Sequence, residues 1–255
     1  GKEEKLKKGI KLSNALMKIG IDVRRKLFKE VLDNLGGNLE MIICGGASLD
    51  TKYEQGLYDL GIQVINGYGT TECSPIITCN RLSNYKVGSA GYALECNDVM
   101  IKDPDDEGVG EVYAKGSNVM MGYYDEPEAT AETFDGEWFK TGDYGYMDKD
   151  GFLFLRGRKK NLIVLSNGKN VSPEEIEDKL LTVDYIKEVV VYEENGAITA
   201  EFFLDENEAP DAKDRLKKDV RAINMQLPTY KQITKTKIRD TEFPKTTTLK
   251  IKRKY

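Results

Sequence analysis

Apolar residues recur at helical spacing through residues 4–35, most clearly in the stripe Val23, Leu27, Phe28, Val31, Leu32 and Leu35, and Gly36-Gly37 closes the pattern. That period predicts helix packed on a sheet. Met41 to Cys44 is instead a short continuous apolar run stopped by Gly45-Gly46, as expected of a strand buried on both faces. Asp50 to Leu60 reads as a helix ended by Gly61, and Gln63 to Asn66 as a second strand. Strand, helix, strand makes a βαβ unit with a parallel pair. Two Gly-rich loops, Gly45-Gly46-Ala47-Ser48 and Gly67 to Glu72, therefore leave the carboxyl ends of neighbouring strands, where open α/β sheets bind ligands.

From Tyr85 to Arg156 the pattern changes to short strands and Gly-dense turns, with Val99 to Ile101 and Gly110 to Tyr113 as strand runs. This is barrel or distorted-sheet character. Asp148-Lys149-Asp150-Gly151 is a hairpin signal before the run Phe152 to Leu155. A basic segment, Arg156 to Asn161, then breaks the apolar pattern as a hinge would. Leu162 to Leu165 reads as a strand, followed by a turn at Ser166-Asn167-Gly168. Ser172, Pro173 and Glu175 supply the cap, first helical position and capping-box acid of a helix to Leu181. Two strands, Ile186 to Tyr192 and Ala197 to Leu204, meet across Asn195-Gly196, and an amphipathic helix spans Ala212 to Met225. The whole is α/β followed by a small α+β region.

Composition narrows the chemistry. With 38 basic against 43 acidic residues the formal charge is −5, so no nucleic-acid footprint is visible. There is no histidine, which removes Ser-His-Asp catalysis and His general bases. No apolar run approaches the roughly 20 residues that span a bilayer, and the Lys-rich start, mixed with Glu3 and Glu4, allows at most peripheral membrane contact. Cys44, Cys73, Cys79 and Cys96 form no CxxC pair, so reduced thiols and a cytoplasmic setting are expected.

The loop after the second strand carries the densest chemistry. Gly67 and Gly69 let a backbone approach a ligand, Tyr68 offers a flat face to a purine, and Thr70 and Thr71 offer hydroxyls to phosphate oxygens. Glu72 offers a hard oxygen to Mg²⁺. Alone, such a string is equally a turn; the matching Gly45 loop and the downstream segment change the balance.

Those loops, the segment GSNVMMGYYDEPEATAETF from Gly116 to Phe134, the stretch from Thr141 to Glu175 and the ending from Pro244 to Arg253 together resemble the adenylate-forming superfamily. The likeness is strongest to acyl-CoA synthetases of the long-chain fatty-acid type. It implies ATP-dependent activation of a carboxylic acid, of the fatty-acid class, to an acyl-adenylate, followed by thioester formation with CoA. It also implies a partial large AMP-binding domain over 1–157 (a parallel βαβ part, 1–84, and a β-barrel-like part, 85–157), a hinge at 158–161 and a small α+β lid domain over 162–255.

Residue by residue, the resemblance places adenine between Gly45, Gly46, Ala47 and Tyr68, with Gly69 and Thr70 in the same loop, the α-phosphate at Thr71 and the metal at Glu72. It gives the ribose hydroxyls to Asp143 and Arg158, the hinge to Lys160, the thiol channel to Gly168 and the adenylation lysine to Lys250. Gly122, Tyr123 and Pro127 would shape a loop without doing chemistry. Two positions depart from the family pattern: Leu249 stands where Gly commonly precedes the lysine, and Asn161 where Asp is common. The family's phosphate loop lies upstream of the Gly45 region and no such stretch is present. The chain is therefore expected to be a C-terminal portion needing the upstream part of its own large domain, and alone to bind nucleotide weakly and turn over nothing. An adenylation unit loading an amino or aryl acid onto a carrier protein, and a non-catalytic nucleotide-binding relic, are the alternatives.

Overall fold

The structure, a computed structural model, describes residues 2–46, 49–205, 209–247 and 251–253. The chain divides into two compact units, Gly1–Thr141 with Gly145–Leu155, and Gly142–Tyr144 with Arg156–Tyr255.

The first unit opens with three helical pieces, α1 (Lys2–Met17), α2 (Arg24–Leu27) and α3 (Lys29–Asp33). The sequence pattern predicted a single run of helix here. The chain turns at Gly20, with φ +81°, and Phe28 leaves helical geometry at φ −105°, ψ 22°. Phe28 and Leu32 are buried, whereas Leu27, Val31 and Leu35 are exposed. Arg24 takes an interior place instead, bonded to both Asp22 carboxylate oxygens and to the Tyr58 carbonyl, with its guanidinium 4.5 Å over the Tyr58 ring.

Next come β1 (Met41–Cys44), α4 (Thr51–Asp59), β2 (Gln63–Gly69), β3 (Ile76–Cys79) and β4 (Tyr92–Ala93), forming a sheet in the order β1-β2-β3-β4. Strands β1 and β2 run parallel, with Cys44 opposite Asn66. The side chain of Asp50 caps α4 by accepting from Lys52 N at 2.7 Å. Glu54 of α4, fully buried, accepts from the Tyr85 hydroxyl and the Gly88 amide and so ties down the loop that follows β3. The expectation that β1 is buried on both faces fails. Ile43 is 76% exposed, and β1 stands at the sheet edge, with only β2 paired to it among the described strands.

A second sheet holds β5 (Asn97–Lys102), β6 (Gly110–Gly116), β7 (Phe134–Asp135) and β8 (Trp138–Met147) in the order β5-β6-β8-β7, with β9 (Leu153–Arg158) paired to β8. Helix α5 (Pro127–Thr133) precedes β7. The hairpin between β8 and β9 is set by Asp148, whose carboxylate accepts from the amides of Asp150 and Phe152. Tyr68, Cys73, Ile77, Val112, Phe139 and Leu153 belong to the core of this unit.

In the second unit β10 (Ile163–Val164) and β11 (Asn170–Val171) form a short antiparallel pair ahead of α6 (Pro173–Leu180). Strands β12 (Ile186–Glu194) and β13 (Ala197–Leu204) join through Asn195 and Gly196, both at positive φ, the pair a type I′ turn requires. Helix α7 (Ala212–Asn224) then crosses over to β14 (Lys235–Arg239), which lies parallel to β13. Ile176, Leu180, Val191, Phe202, Leu216 and Ile223 anchor the core between helices and sheet.

The capping box expected at Ser172 does not form. The Ser172 hydroxyl donates to the Arg156 carbonyl, and Glu175 pairs with buried Lys231 at 2.9 Å. A nearly buried ammonium makes a stronger demand on that carboxylate than a backbone amide does.

Candidate functional site

In the first unit the parallel register of β1 and β2 brings the Gly45-Gly46 and Gly67–Glu72 segments to one sheet edge. Gly45 and Gly46 are exposed, and Gly46 has φ +79°. Ala47 lies outside the described residues, as do Ser48, Leu249 and Lys250.

Strand β2 runs through Gly69 and so includes residues that the sequence assigned to a loop. That changes what the glycines and the tyrosine do. A Cβ on Gly69 would sit 1.8 Å from the Pro75 carbonyl oxygen, so the chain's own return, rather than a ligand, excludes a side chain there. Tyr68 is 8% exposed and packs in the core, leaving little of its ring for a purine. At Gly67 a Cβ would stand 3.7 Å from the nearest backbone atom, ordinary contact distance.

After β2 the chain makes a 3-10 turn over Thr71–Cys73. Thr71 is exposed. The Thr70 hydroxyl is shielded without a hydrogen-bond partner of good geometry, and it acts on the Cys73 thiol, which burial pushes up and Thr70 partly draws back.

Glu72 is gripped by the segment that the sequence assigned only to loop shape. Its carbonyl accepts from Met120 N at 2.7 Å, and its Oε1 accepts from the Tyr123 hydroxyl at 2.9 Å. Asn118 Nδ2 donates to the carbonyls of Cys73 and Ile76, extending the grip along the turn. Tyr123 is in turn fixed by its amide donating to Thr130 Oγ1 at 2.9 Å. Glu72 as acceptor raises the Tyr123 hydroxyl above its ordinary pKa, so it remains a donor at neutral pH. Tyr123 was missed as a site residue because its partner lies 51 positions away; only the string of residues around it pointed there.

Among the described residues no cluster of three or more acidic, Cys or His side chains could hold a metal. One fixed carboxylate nevertheless suits Mg²⁺, which takes one or two protein carboxylates and completes its octahedron with waters and substrate phosphates.

In the second unit Asp143, 6% exposed, is paired through Oδ1 with Arg158 Nε at 2.9 Å. A buried carboxylate beside a half-exposed guanidinium presents acceptors and donors together, as recognition of vicinal hydroxyls needs. Lys160 lies in a 3-10 turn over Lys159–Asn161. Gly168 closes the β10–β11 turn with its amide on the Leu165 carbonyl at 2.8 Å and φ +79°; a Cβ there would meet nothing within 4 Å. The observed reason for glycine is therefore the turn itself.

Comparison with known proteins bears on both units. A family profile described as AMP-binding enzyme matches residues 9–124, and one described as AMP-binding enzyme C-terminal domain matches residues 160–255. A long-chain-fatty-acid–CoA ligase, FadD15, of Mycobacterium bovis is 36% identical over 167 residues, covering 66% of this chain and 27% of that protein. The 2-succinylbenzoate–CoA ligase of Bacillus pumilus is 37% identical over 192 residues, covering 71% of this chain and 39% of its own length. The chain thus spans well under half of either relative. Among solved structures, o-succinylbenzoate CoA synthetase (MenE) from Bacillus subtilis with its acyl-adenylate intermediate matches at TM-score 0.73 and 27% identity, over 89% of this chain and 48% of that one. The same enzyme in complex with ATP and magnesium ion matches at TM-score 0.69 with the same identity and coverage.

Proposed function

Because this chain belongs to the AMP-binding, adenylate-forming enzyme family, we propose that the protein it comes from is an AMP-forming acid–CoA ligase acting on a fatty acid. The observation that carries the reading is the Thr71–Glu72 turn, where an exposed hydroxyl adjoins a carboxylate fixed at backbone and side chain. The similarity to a fatty-acid ligase supports a fatty acid as the substrate. The similarity to 2-succinylbenzoate ligases favours an aryl acid as the second reading.

In the first half-reaction a carboxylate oxygen of the acid attacks the α-phosphorus of ATP and pyrophosphate leaves. Thr71 orients the α-phosphate, and Glu72 provides the protein ligand for Mg²⁺. When bound, the metal adds positive charge to the phosphate oxygens. Asp143 accepts both ribose hydroxyls, with Arg158 holding its carboxylate in place. Lys250 places its ammonium on the charge that develops at the α-phosphate; loss of one such preorganised group costs about 10²–10³ in rate. None of these steps calls for a side-chain general base, consistent with a chain without histidine.

In the second half-reaction the CoA sulfur attacks the acyl carbon, AMP leaves, and the thiol proton goes to solvent. We assign residues 1–157 to the large domain, 158–161 to the hinge and 162–255 to the lid, with Lys160 as pivot and Gly168 beside the incoming thiol.

The test is carboxylate-dependent pyrophosphate exchange by the whole protein without CoA, across acids from acetate to long fatty acids and including aryl acids. Exchange with fatty acids alone is expected. Exchange with aryl acids alone selects the second reading, and silence with ATP still bound reduces the protein to a nucleotide-binding module.

A further inference from the structure

The ends of the segment that carries Lys250 are tied together and to the core of the second unit. Lys245 and Ile251 form an antiparallel bridge, and Lys252 N donates to the Pro244 carbonyl at 2.7 Å. On the incoming side, Lys245 pairs with Glu188 of β12 and with Glu242, and Phe243 N donates to Glu188 Oε2 at 2.7 Å. On the outgoing side, Arg253 Nη2 pairs with Glu177 Oε2 of α6. Glu177 is 6% exposed, and its other oxygen accepts from Val191 N at 2.6 Å, so this anchor is set in the core.

Arg253 also reaches a second carboxylate. Its Nη2 lies 3.7 Å from Glu174 Oε1, the same oxygen that accepts from Asn161 Nδ2 at 2.6 Å. Glu174 Oε2 lies 3.2 Å from the Ser172 hydroxyl oxygen. Gly157 runs so close that a Cβ on it would stand 2.5 Å from Glu174 Oε2. One carboxylate therefore joins the C-terminal segment to the basic segment assigned to the hinge.

We propose that Arg253 is the positioning residue for Lys250: clamped by Glu177 and Glu174, it fixes the neck from which the lysine is presented for adenylation, and Asn161 brings the hinge into the same clamp. This rests on the reaction proposed above. The segment between 245 and 251 has few residues with which to absorb a displaced end, and a misplacement of about 1 Å can cost on the order of 10²-fold in rate. In the reaction proposed above thioester formation does not use Lys250, so loss of Arg253 is expected to reach that step only indirectly, through Asn161.

The experiment compares the whole protein with its Arg253→Gln and Arg253→Lys variants. Three quantities are read: pyrophosphate exchange, thioester formation from a synthetic acyl-adenylate and CoA, and amide hydrogen exchange of residues 245–253. Arg253→Gln is expected to lose pyrophosphate exchange by on the order of 10²-fold, to keep the thioester step within about threefold, and to speed amide exchange in 245–253 alone. Arg253→Lys, which keeps the charge, is expected to recover part of the loss. A parallel fall in both half-reactions, with amide exchange raised throughout 162–255, would make Arg253 a support of the fold and overturn the proposal. Unchanged rates and protection would overturn it too. Should the wild type show no pyrophosphate exchange with any acid, the functional reading fails, and local amide exchange alone still decides whether Arg253 pins the segment.

Discussion

The Tyr123 hydroxyl donates a 2.9 Å hydrogen bond to Glu72 Oε1, and this contact orients the carboxylate proposed to meet the metal. Replacing Tyr123 by Phe removes the donor and keeps the ring. For a partly exposed bond to a charged acceptor the loss is about 1 kcal/mol, equivalent to roughly a fivefold rise in the Mg²⁺ needed for half-saturation. Binding of Mn²⁺ as a paramagnetic substitute, in the presence of a non-hydrolysable ATP analogue, measures it. An unchanged metal requirement would leave Tyr123 as a packing residue of the 116–134 loop.

Gly168 separates two explanations for one glycine. Its φ of +79° makes Ala cost about 1 kcal/mol in stability, which a denaturation curve will register. The proposed thiol channel adds a functional expectation, since the surrounding space is open within this chain. Gly168→Ala should slow thioester formation by about tenfold, equivalent to about 1.4 kcal/mol on the barrier, with pyrophosphate exchange retained. Equal half-reactions would make Gly168 a turn residue only.

Glu177 gives a pH dependence whose direction is fixed. Burial pushes its carboxyl up to about 7, against the Arg253 guanidinium and the Val191 amide, which pull it down. The folded protein therefore holds a proton that the unfolded chain releases from about pH 4.5 upward. The stability this group contributes is fully present below that value and fades as pH rises toward 7, by about 3 kcal/mol over the window. Urea unfolding from pH 4 to 8 should show wild type losing ground to Glu177→Gln across this range. A constant difference between the two would mean that Arg253 keeps Glu177 ionised throughout.

What could be read from sequence was local. Asp50 before α4, Pro173 at the start of α6 and Asn195-Gly196 between β12 and β13 each act on their own neighbours, so a few residues sufficed. Strand β14 escaped notice because its residues are mostly exposed and it depends on β13 for its backbone bonds. Ser172 and Glu175 matched a capping box by spacing, but Arg156 and Lys231 compete for them from distant positions. The candidate site divides in the same way. Glu72 and Asp143 stand out as residue types in motifs, whereas Tyr123 and Arg158, the groups that hold their carboxylates, are visible as partners only in three dimensions.

The outer edge of β1 bears on how these 255 residues behave in solution. Backbone groups beyond a strand paired on one side, with Ile43 76% exposed and Met41 40% exposed, form a template for another extended segment. No charged side chain interrupts Met41–Cys44, although charge is how sheets commonly blunt such an edge. Crowding is therefore a stress to which this strand is expected to respond, through association that grows with concentration.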